Sequence, residues 1–414
     1  MSNTQETNEE KRAIIYSCDG KPTKAKDVIP ESKLEEFNLN WREKDLPERE
    51  RTKHVHRLHP YLGKFIPQLV EIFLRKYFKP GDTVLDPFAG SCTTLVQANE
   101  LKIDSIGADI SAFNILLGKV KTDKYDISEL KKEIFDVLEK SGKAISSAID
   151  EKQLNLWQTS KRNIEKTKDV YLNTWFSSQA LDQLSTYREF IENGNYQYPD
   201  VMKIILSRSA RSSRLTTHFD LDFPKTPQRE PYYCFKHSRT CTPTSDAWKF
   251  LKRYSEDTFK RINEYSQIRT NASVSLIHAD SRFYNFPKVS GVITSPPYVG
   301  LIDYHAQHEY AYHLLGLNDN RNLEIGPALN GSGKKAKFDY SNDISMVFKN
   351  SLESMPIGGR LIIVAGDRAN LYPSIGEELG IEVEAVVQRH VNRRTGRRST
   401  KFFESIFIWK KIKN

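Results

Sequence analysis

The sequence predicts an α/β protein, a mostly parallel sheet of seven strands with helices on both faces and a mainly helical insertion. Three observations predict it. Short apolar runs alternate with stretches of helical apolar spacing between residues 68 and 120 and again between 274 and 365. That alternation stops between residues 125 and 272. Two of the strand-like runs end in distinctive turns, Asp86-Pro87-Phe88-Ala89-Gly90-Ser91-Cys92-Thr93-Thr94 and Thr294-Ser295-Pro296-Pro297-Tyr298.

The elements follow in order. Residues 1–12 read as a disordered tail, and 13–53 as a polar segment with few periodic signals. The pattern changes at His59-Pro60-Tyr61-Leu62-Gly63-Lys64-Phe65-Ile66-Pro67. Residues 68–78 have helical spacing, and Pro80-Gly81-Asp82 ends that helix. A strand at 83–85 runs into the first motif, followed by a helix at 93–101, a strand at 105–110 and a helix at 112–120. After the insertion come strands at 274–278 and 291–294 and a helix at 304–315. Gly358-Gly359 leads into a strand at 360–365, and 381–387 and 403–409 alternate as a final antiparallel pair. Within the insertion, 126–141, 157–168, 181–192 and 201–214 have helical patterns. The expected division is 1–53, an N-terminal polar extension; 54–124, the first half of the core; 125–272, the insertion; and 273–414, the second half of the core. Both motifs sit at strand carboxyl ends, where parallel sheets bind ligands, so both are expected to face one crevice.

Composition fits a folded protein with a polyanionic partner. The chain is 38% hydrophobic and 28% charged, with a net charge of +9. Four cysteines in 414 residues are too few for a disulfide scaffold. The N-terminus lacks an apolar signal core, and no apolar stretch approaches the ~20 residues that span a bilayer. A cytoplasmic protein is the expectation.

The first motif reads as a cofactor loop. Gly90 lets the backbone approach a ligand, and the following helix offers unpaired N–H groups. Asp109 closes the next strand at a spacing suited to holding ribose hydroxyls, and Asp280 follows the third strand, where it suits an amino group. A helix cap or turn is the structural alternative for each aspartate. The second motif reads as a clamp for a flat, amino-bearing ring. Its two prolines fix the backbone, and it follows a buried strand.

These residues resemble a known family. Asp86–Thr94 resembles the S-adenosylmethionine loop of the amino-methylating DNA methyltransferases, and Ser295-Pro296-Pro297-Tyr298 resembles their catalytic motif in its cytosine-N4 form. Residues 59–67 look like the segment that lines the methionine end of the cofactor, and Asp303-Tyr304 and Leu315-Gly316 also look like recurring family patterns. The resemblance covers roughly 54–123 and 274–411 and implies a Rossmann-like methyltransferase sheet of seven strands. By position, the insertion would be the target-recognition region.

The resemblance implies S-adenosylmethionine as cofactor, held by Phe65, Asp86, Phe88, Gly90, Ser91, Thr93, Asp109 and Asp280. It implies Ser295, Pro296, Pro297 and Tyr298 as catalytic residues. The Ser295 hydroxyl and the Pro296 carbonyl would accept from the target amine and localise its lone pair. Tyr298 would stack on a base flipped out of duplex DNA. The expected activity is site-specific methylation of cytosine N4, alongside a cognate restriction endonuclease. Adenine N6, an RNA base and a decayed binding protein remain as alternatives. One departure is Cys92, where the family usually has glycine.

Arg208, Arg211 and Arg214, together with Arg393, Arg394 and Arg397, are the expected DNA contacts, with a solvated helical face and a solvated surface turn as the respective alternatives. Lys203, Arg229, Lys236 and Arg239, with Tyr232, Tyr233 and Phe235 interleaved, support that reading of the insertion. Cys234-x2-His237-x3-Cys241, with His218 upstream, fits no strong zinc spacing, so no metal is expected. His305, His308 and His313 read as helix-face residues.

Overall fold

In the computed structural model, residues 14–17, 20–154, 168–218, 221, 224–391 and 402–413 are described. The expected tail, the helix expected at 157–168 except its last residue, and Arg393, Arg394 and Arg397 lie outside them.

The strands among these residues are β1 (Ile14–Tyr16), β2 (Thr83–Asp86), β3 (Asp104–Asp109), β4 (Tyr232–Cys234), β5 (Arg239–Cys241), β6 (Val274–His278), β7 (Gly291–Thr294), β8 (Arg360–Ala365), β9 (Glu382–Val391) and β10 (Phe402–Lys410). Eight form one sheet in the order β1-β9-β10-β8-β7-β2-β3-β6, and β4 pairs with β5 as a separate hairpin. All seven expected strands are in that sheet. The eighth, β1, comes from the N-terminal segment that read only as polar, and it pairs in parallel with residues 386–388 of β9. Its three residues are too few to display a period. Leu34, Phe37 and Leu39 fix the same segment in the core.

β10 runs antiparallel to β8 and β9, while the other pairings in the sheet are parallel. The chain moves outward through β2, β3 and β6, then returns to place β7 on the other side of β2. The strand order therefore reverses between β2 and β7, with Val84 opposite Gly291 and Leu85 opposite Val292. Crevices of parallel sheets open at such reversals. Both turn motifs meet there.

The helices are α1 (Glu48–Arg51), α2 (Pro67–Tyr77), α3 (Thr93–Glu100), α4 (Ala112–Thr122), α5 (Ile127–Leu154), α6 (Val170–Trp175), α7 (Ser178–Asn193), α8 (Pro199–Ser213), α9 (Trp248–Ser266), α10 (Tyr304–Gln307), α11 (Glu309–Leu315), α12 (Lys334–Ser354) and α13 (Tyr372–Leu379). None is long and apolar enough to cross a membrane among the described residues.

β8 shows how the sheet divides its core. Ile362 and Val364 pack with Leu69, Ile72 and Phe73 of α2, whereas Leu361, Ile363 and Ala365 pack with Ile344, Val347 and Phe348 of α12. Successive strand residues point to opposite faces, so one apolar run supplies both. The insertion builds its own core from α5, α7, α8 and α9, continuous with Phe113 and Leu117 of α4 and with Tyr310 and Leu314 of α11. Sequence reading missed α9 because its buried stripe is Leu251, Ser255, Thr258, Ile262 and Tyr265, two of which are small and polar. The helix expected at 304–315 breaks at His308, which is buried and stacks on Phe113 with ring centres 4.5 Å apart.

Candidate active site

The first motif turns sharply at the end of β2. Gly90 has φ +47°, and a Cβ there would lie 3.0 Å from the Tyr61 hydroxyl oxygen. Glycine is therefore required both by backbone conformation and by closeness to Tyr61. The Gly90 N–H donates to Asp109 Oδ2 at 2.8 Å. Asp109 Oδ1 accepts from the Ser111 N–H at 2.8 Å and from Asn114 Nδ2 at 3.2 Å. Burial raises the Asp109 pKa against these hydrogen bonds. Ser91 and Thr93 follow at the start of α3, both buried, with their hydroxyls 3.3 Å apart.

A cleft of about 820 Å³, its open mouth included, lies over this turn. Phe65, Phe88, Gly90, Ser91, Thr93, Asp109 and Asp280 line it, as do Ser295 and Pro297 of the second motif. The structure therefore gathers the two motifs into one crevice.

Asp86 is placed differently from the expectation. It is fully buried beneath the loop and is not among the residues lining the cleft. Its Oδ1 accepts from Thr294 Oγ1 at 2.7 Å and from the Phe88 N–H at 3.2 Å. Desolvation pushes its pKa up to about 6. Asp86 is thus a brace between β2 and β7. Asp280 lines the cleft but is already engaged, because Arg282 Nη2 lies 2.6 Å from its Oδ2, while Nη1 of the same arginine pairs with Asp343 at 2.9 Å.

Cys92 occupies a left-handed position, φ +58° and ψ +36°, at the head of α3. This conformation explains why glycine suits the position. Its side chain is 1% exposed and packs with Ala89 and Leu95, and it is not among the residues lining the cleft. A Cβ on Gly118 of α4 would stand 2.5 Å from its sulfur. Burial pushes the thiol pKa up to about 12, so the group is neutral and unreactive.

The second motif follows β7. Ser295 Oγ donates to the Val364 carbonyl at 2.9 Å. A hydroxyl has one hydrogen, so Ser295 presents only lone pairs to anything else. The Pro297 carbonyl accepts from Tyr340 Oη at 2.9 Å, while the Pro296 carbonyl has no hydrogen-bond donor among the described residues. Tyr298 stands beside the cleft rather than in its lining. Its hydroxyl donates to Glu404 Oε1 at 3.1 Å, and Glu404 pairs with Arg389 at 2.5 Å. A Cβ on Gly366 would lie 3.1 Å from the Tyr298 ring, so glycine gives that ring its seat.

Sequence reading missed Tyr61, Asn114, Tyr304, His305 and Glu324, all of which line the cleft. Tyr61 and Tyr304 stack across it with ring centres 5.9 Å apart, and His305 Nδ1 bonds Glu324. Tyr61 and Tyr304 lay in segments already singled out. Glu324 carried no local signal, because a long loop brings it in.

Of the three arginines around α8 expected to contact DNA, two are buried. Arg208 is 8% exposed, pairs with Asp257 at 2.6 Å and lies 4.2 Å from the Tyr254 ring centre. Arg214 is 2% exposed, lies 4.5 Å from the Tyr310 ring centre and donates to the Leu221 carbonyl. α8 packs against α7, α9 and α11, so Arg208 is spent on an ion pair and a ring contact within the insertion, while Asp200 and Lys203 stay partly exposed. Arg211 is half-buried.

The cleft fits S-adenosylmethionine. Its wall holds two buried polar atoms without a partner among the described residues, Asn114 Oδ1 and His305 Nε2. The Asp109 carboxylate suits ribose hydroxyls. Phe88, Tyr61 and Tyr304 offer aromatic surface to an adenine or a sulfonium.

Comparisons with known proteins agree. A family model for N6- and N4-specific methyltransferases, described as DNA methylase, matches residues 2–120. The type II methyltransferase M.MjaII of Methanocaldococcus jannaschii is 38% identical across 90% of this chain and 83% of its own. M.BsoBI of Geobacillus stearothermophilus is 26% identical across 67% of this chain and 56% of its own. M.MvaI of Kocuria varians is 25% identical across 59% of this chain and 53% of its own. With its two motifs in one crevice and a relative of this identity over nearly its whole length, the chain belongs to the S-adenosylmethionine-dependent, amino-methylating DNA methyltransferases.

Proposed function

We propose that the enzyme methylates the exocyclic N4 amine of cytosine at a specific DNA site, as the modification half of a type II restriction-modification system in the cytoplasm. The observation that carries the chemistry is the hydrogen bond from Ser295 Oγ to the Val364 carbonyl. An aromatic amine is a poor nucleophile because its lone pair is delocalised into the ring. Two acceptors on its N–H groups favour a pyramidal nitrogen with a localised pair. Ser295 Oγ has given up its only hydrogen and can act solely as an acceptor toward the amine. The Pro296 carbonyl is the second acceptor, held by the stiffness of Pro296-Pro297 and by the Tyr340 bond on the next carbonyl.

S-adenosylmethionine supplies an electrophilic methyl on a sulfonium centre. The chain's residues position and polarise. Asp109 and Asn114 hold the sugar side of the cleft, and Phe88 packs on the cofactor. Tyr298, fixed by Glu404, supports the flipped base. The acceptors carry no formal charge, so catalysis rests on orientation and hydrogen bonding.

Ser-Pro-Pro-Tyr, by its resemblance to the cytosine-N4 form, is what selects cytosine over adenine. Residues 125–272 are the proposed target-recognition region, between core halves at 54–124 and 273–414. Arg393, Arg394 and Arg397 are proposed phosphate contacts on the β9–β10 connection.

The test is expression in a host free of DNA methylation, followed by digestion of its DNA to nucleosides and mass spectrometry. N4-methylcytosine in one sequence context is the expected product. N6-methyladenine without N4-methylcytosine would overturn the cytosine assignment. Methyl incorporation confined to RNA would overturn the DNA assignment.

A further inference from the structure

The connection between α8 and α9 covers residues 214–247, and among its described residues the β4–β5 hairpin is the regular secondary structure. Connections of this length inside a folded unit usually have a function or an internal staple. A two-stranded hairpin is marginal by itself in water. The aromatic side chains at its tip give no core, because Tyr233 is 56% and Phe235 78% exposed.

What does converge on this hairpin is a set of soft donors. Cys234 lies opposite Arg239 and Cys241 opposite Tyr232, so the two cysteines are diagonal neighbours on one face. Their sulfurs are free thiols, not a disulfide, and Cys234 is fully buried. His237 sits in the turn between the strands. Its N–H donates to the Cys234 carbonyl at 3.1 Å, and Ser238 takes a left-handed φ of +51°. That tight turn folds the His237 ring back over the cysteines. His218 arrives from the connection that follows α8, its ring meeting His237 edge-on with centres 4.5 Å apart. One ligand atom from each of His218, Cys234, His237 and Cys241 lies within 4.8 Å of all the others.

The distances have the dimensions of a coordination sphere. His237 Nδ1 is 3.6 Å from Cys234 Sγ and 3.5 Å from Cys241 Sγ. Zinc bonds of about 2.3 Å to sulfur and 2.0–2.1 Å to nitrogen, at a tetrahedral angle, place sulfur and nitrogen about 3.6 Å apart. One imidazole nitrogen cannot donate well to two sulfurs, whereas a shared metal accounts for both contacts. Four ligands with no carboxylate make a closed, soft set of the kind that selects zinc and leaves no open position for catalysis.

We propose that His218, Cys234, His237 and Cys241 form a structural zinc site that ties the α8–α9 connection into the insertion. Two thiolates balance the charge of the ion, and two neutral imidazoles complete the tetrahedron. Zinc displaces the two thiol protons on binding. The site fixes a knuckle that presents Tyr233, Phe235, Lys236 and Arg239 on the surface of the insertion. Its spacing, His218-x15-Cys234-x2-His237-x3-Cys241, matches no common pattern, because the first ligand comes from the connection after α8 and the other three from a hairpin.

The test uses the full chain purified without chelator. Elemental analysis is expected to find roughly one zinc per chain, and the double variant Cys234→Ser, Cys241→Ser is expected to lose nearly all of it. Zinc retained by a folded double variant would overturn the proposal, since the buried cluster of His54, His56 and Glu100 would then be its holder. A measurement on the unaltered chain stands beside this in case the variant fails to fold. Replacing the metal with cobalt should give the intense visible bands and sulfur charge-transfer absorption of a tetrahedral two-thiolate site. Weak octahedral bands, or no cobalt uptake by metal-free protein, would refute the site.

Discussion

Thr294 Oγ1 donates to Asp86 Oδ1 across 2.7 Å, joining two residues 208 positions apart in the chain. The bond ties the last residue of β7 to the last residue of β2, where the two turn motifs begin. Asp86 is buried and its pKa is raised to about 6 by desolvation, so near neutral pH it is a buried carboxylate that depends on this donor.

Replacing Thr294 with valine keeps the shape and removes the donor. Thr294→Val should destabilise the protein by on the order of 1–3 kcal/mol, while Thr294→Ser should be close to the parent. Urea denaturation of the three proteins measures this. Equal midpoints would show that the brace carries no energy.

In the proposed mechanism Ser295 is an acceptor for the target amine, and Ser295→Ala removes it while leaving Asp109, Asn114 and Phe88 in place. Turnover should fall by roughly 10²-fold while cofactor affinity is retained. Single-turnover kinetics and cofactor titration separate the two quantities. A loss of cofactor affinity with an unchanged chemical step would move Ser295 out of the catalytic role.

Cys92 and Gly118 form a size pair. Alanine in a helix interior ordinarily stabilises by about 1 kcal/mol relative to glycine. At Gly118 the added methyl meets the Cys92 sulfur at 2.5 Å and Leu276 at 2.9 Å, so Gly118→Ala should instead destabilise. The overpacking cost is about 1–3 kcal/mol. Adding Cys92→Gly removes the sulfur and suits the left-handed backbone, so the double variant should recover part of the loss. Thermal melts of the four proteins form the cycle, and additive effects would refute the contact.

Lys121 lies buried beneath the same turn, donating to the Ser91 carbonyl at 2.6 Å. Desolvation pushes its pKa from 10.5 down to about 7. Between those values the unfolded chain binds the extra proton and the folded chain does not, so stability rises with pH across that window. The burden is fully present below pH 7 and relieved as pH approaches 10.5. Lys121→Met should lack this slope. Melting curves of both proteins from about pH 7 to pH 9 should therefore shift the difference in favour of the parent as pH rises. Parallel profiles would show that Lys121 does not titrate there.

Much of this protein was legible in one chain. The seven core strands, the cofactor turn and the clamp each carry their signal locally, because strand runs, Gly90 and the Pro-Pro pair act through their own backbone. The resemblance of those two motifs was enough to place the family. The tertiary structure decided what each side chain faces. It buried Arg208 against Asp257 and Tyr254 and Arg214 against Tyr310, and it put Asp86 under the loop rather than in the cleft. It showed Cys92 directed at Gly118, a contact no spacing foretells. It brought Glu324 to His305, and His218 to Cys234 sixteen residues on, because loops carry no periodicity from which their closure can be read. Local backbone preference is written in sequence, whereas burial, and with it charge state and ligand sets, exists only once distant segments pack.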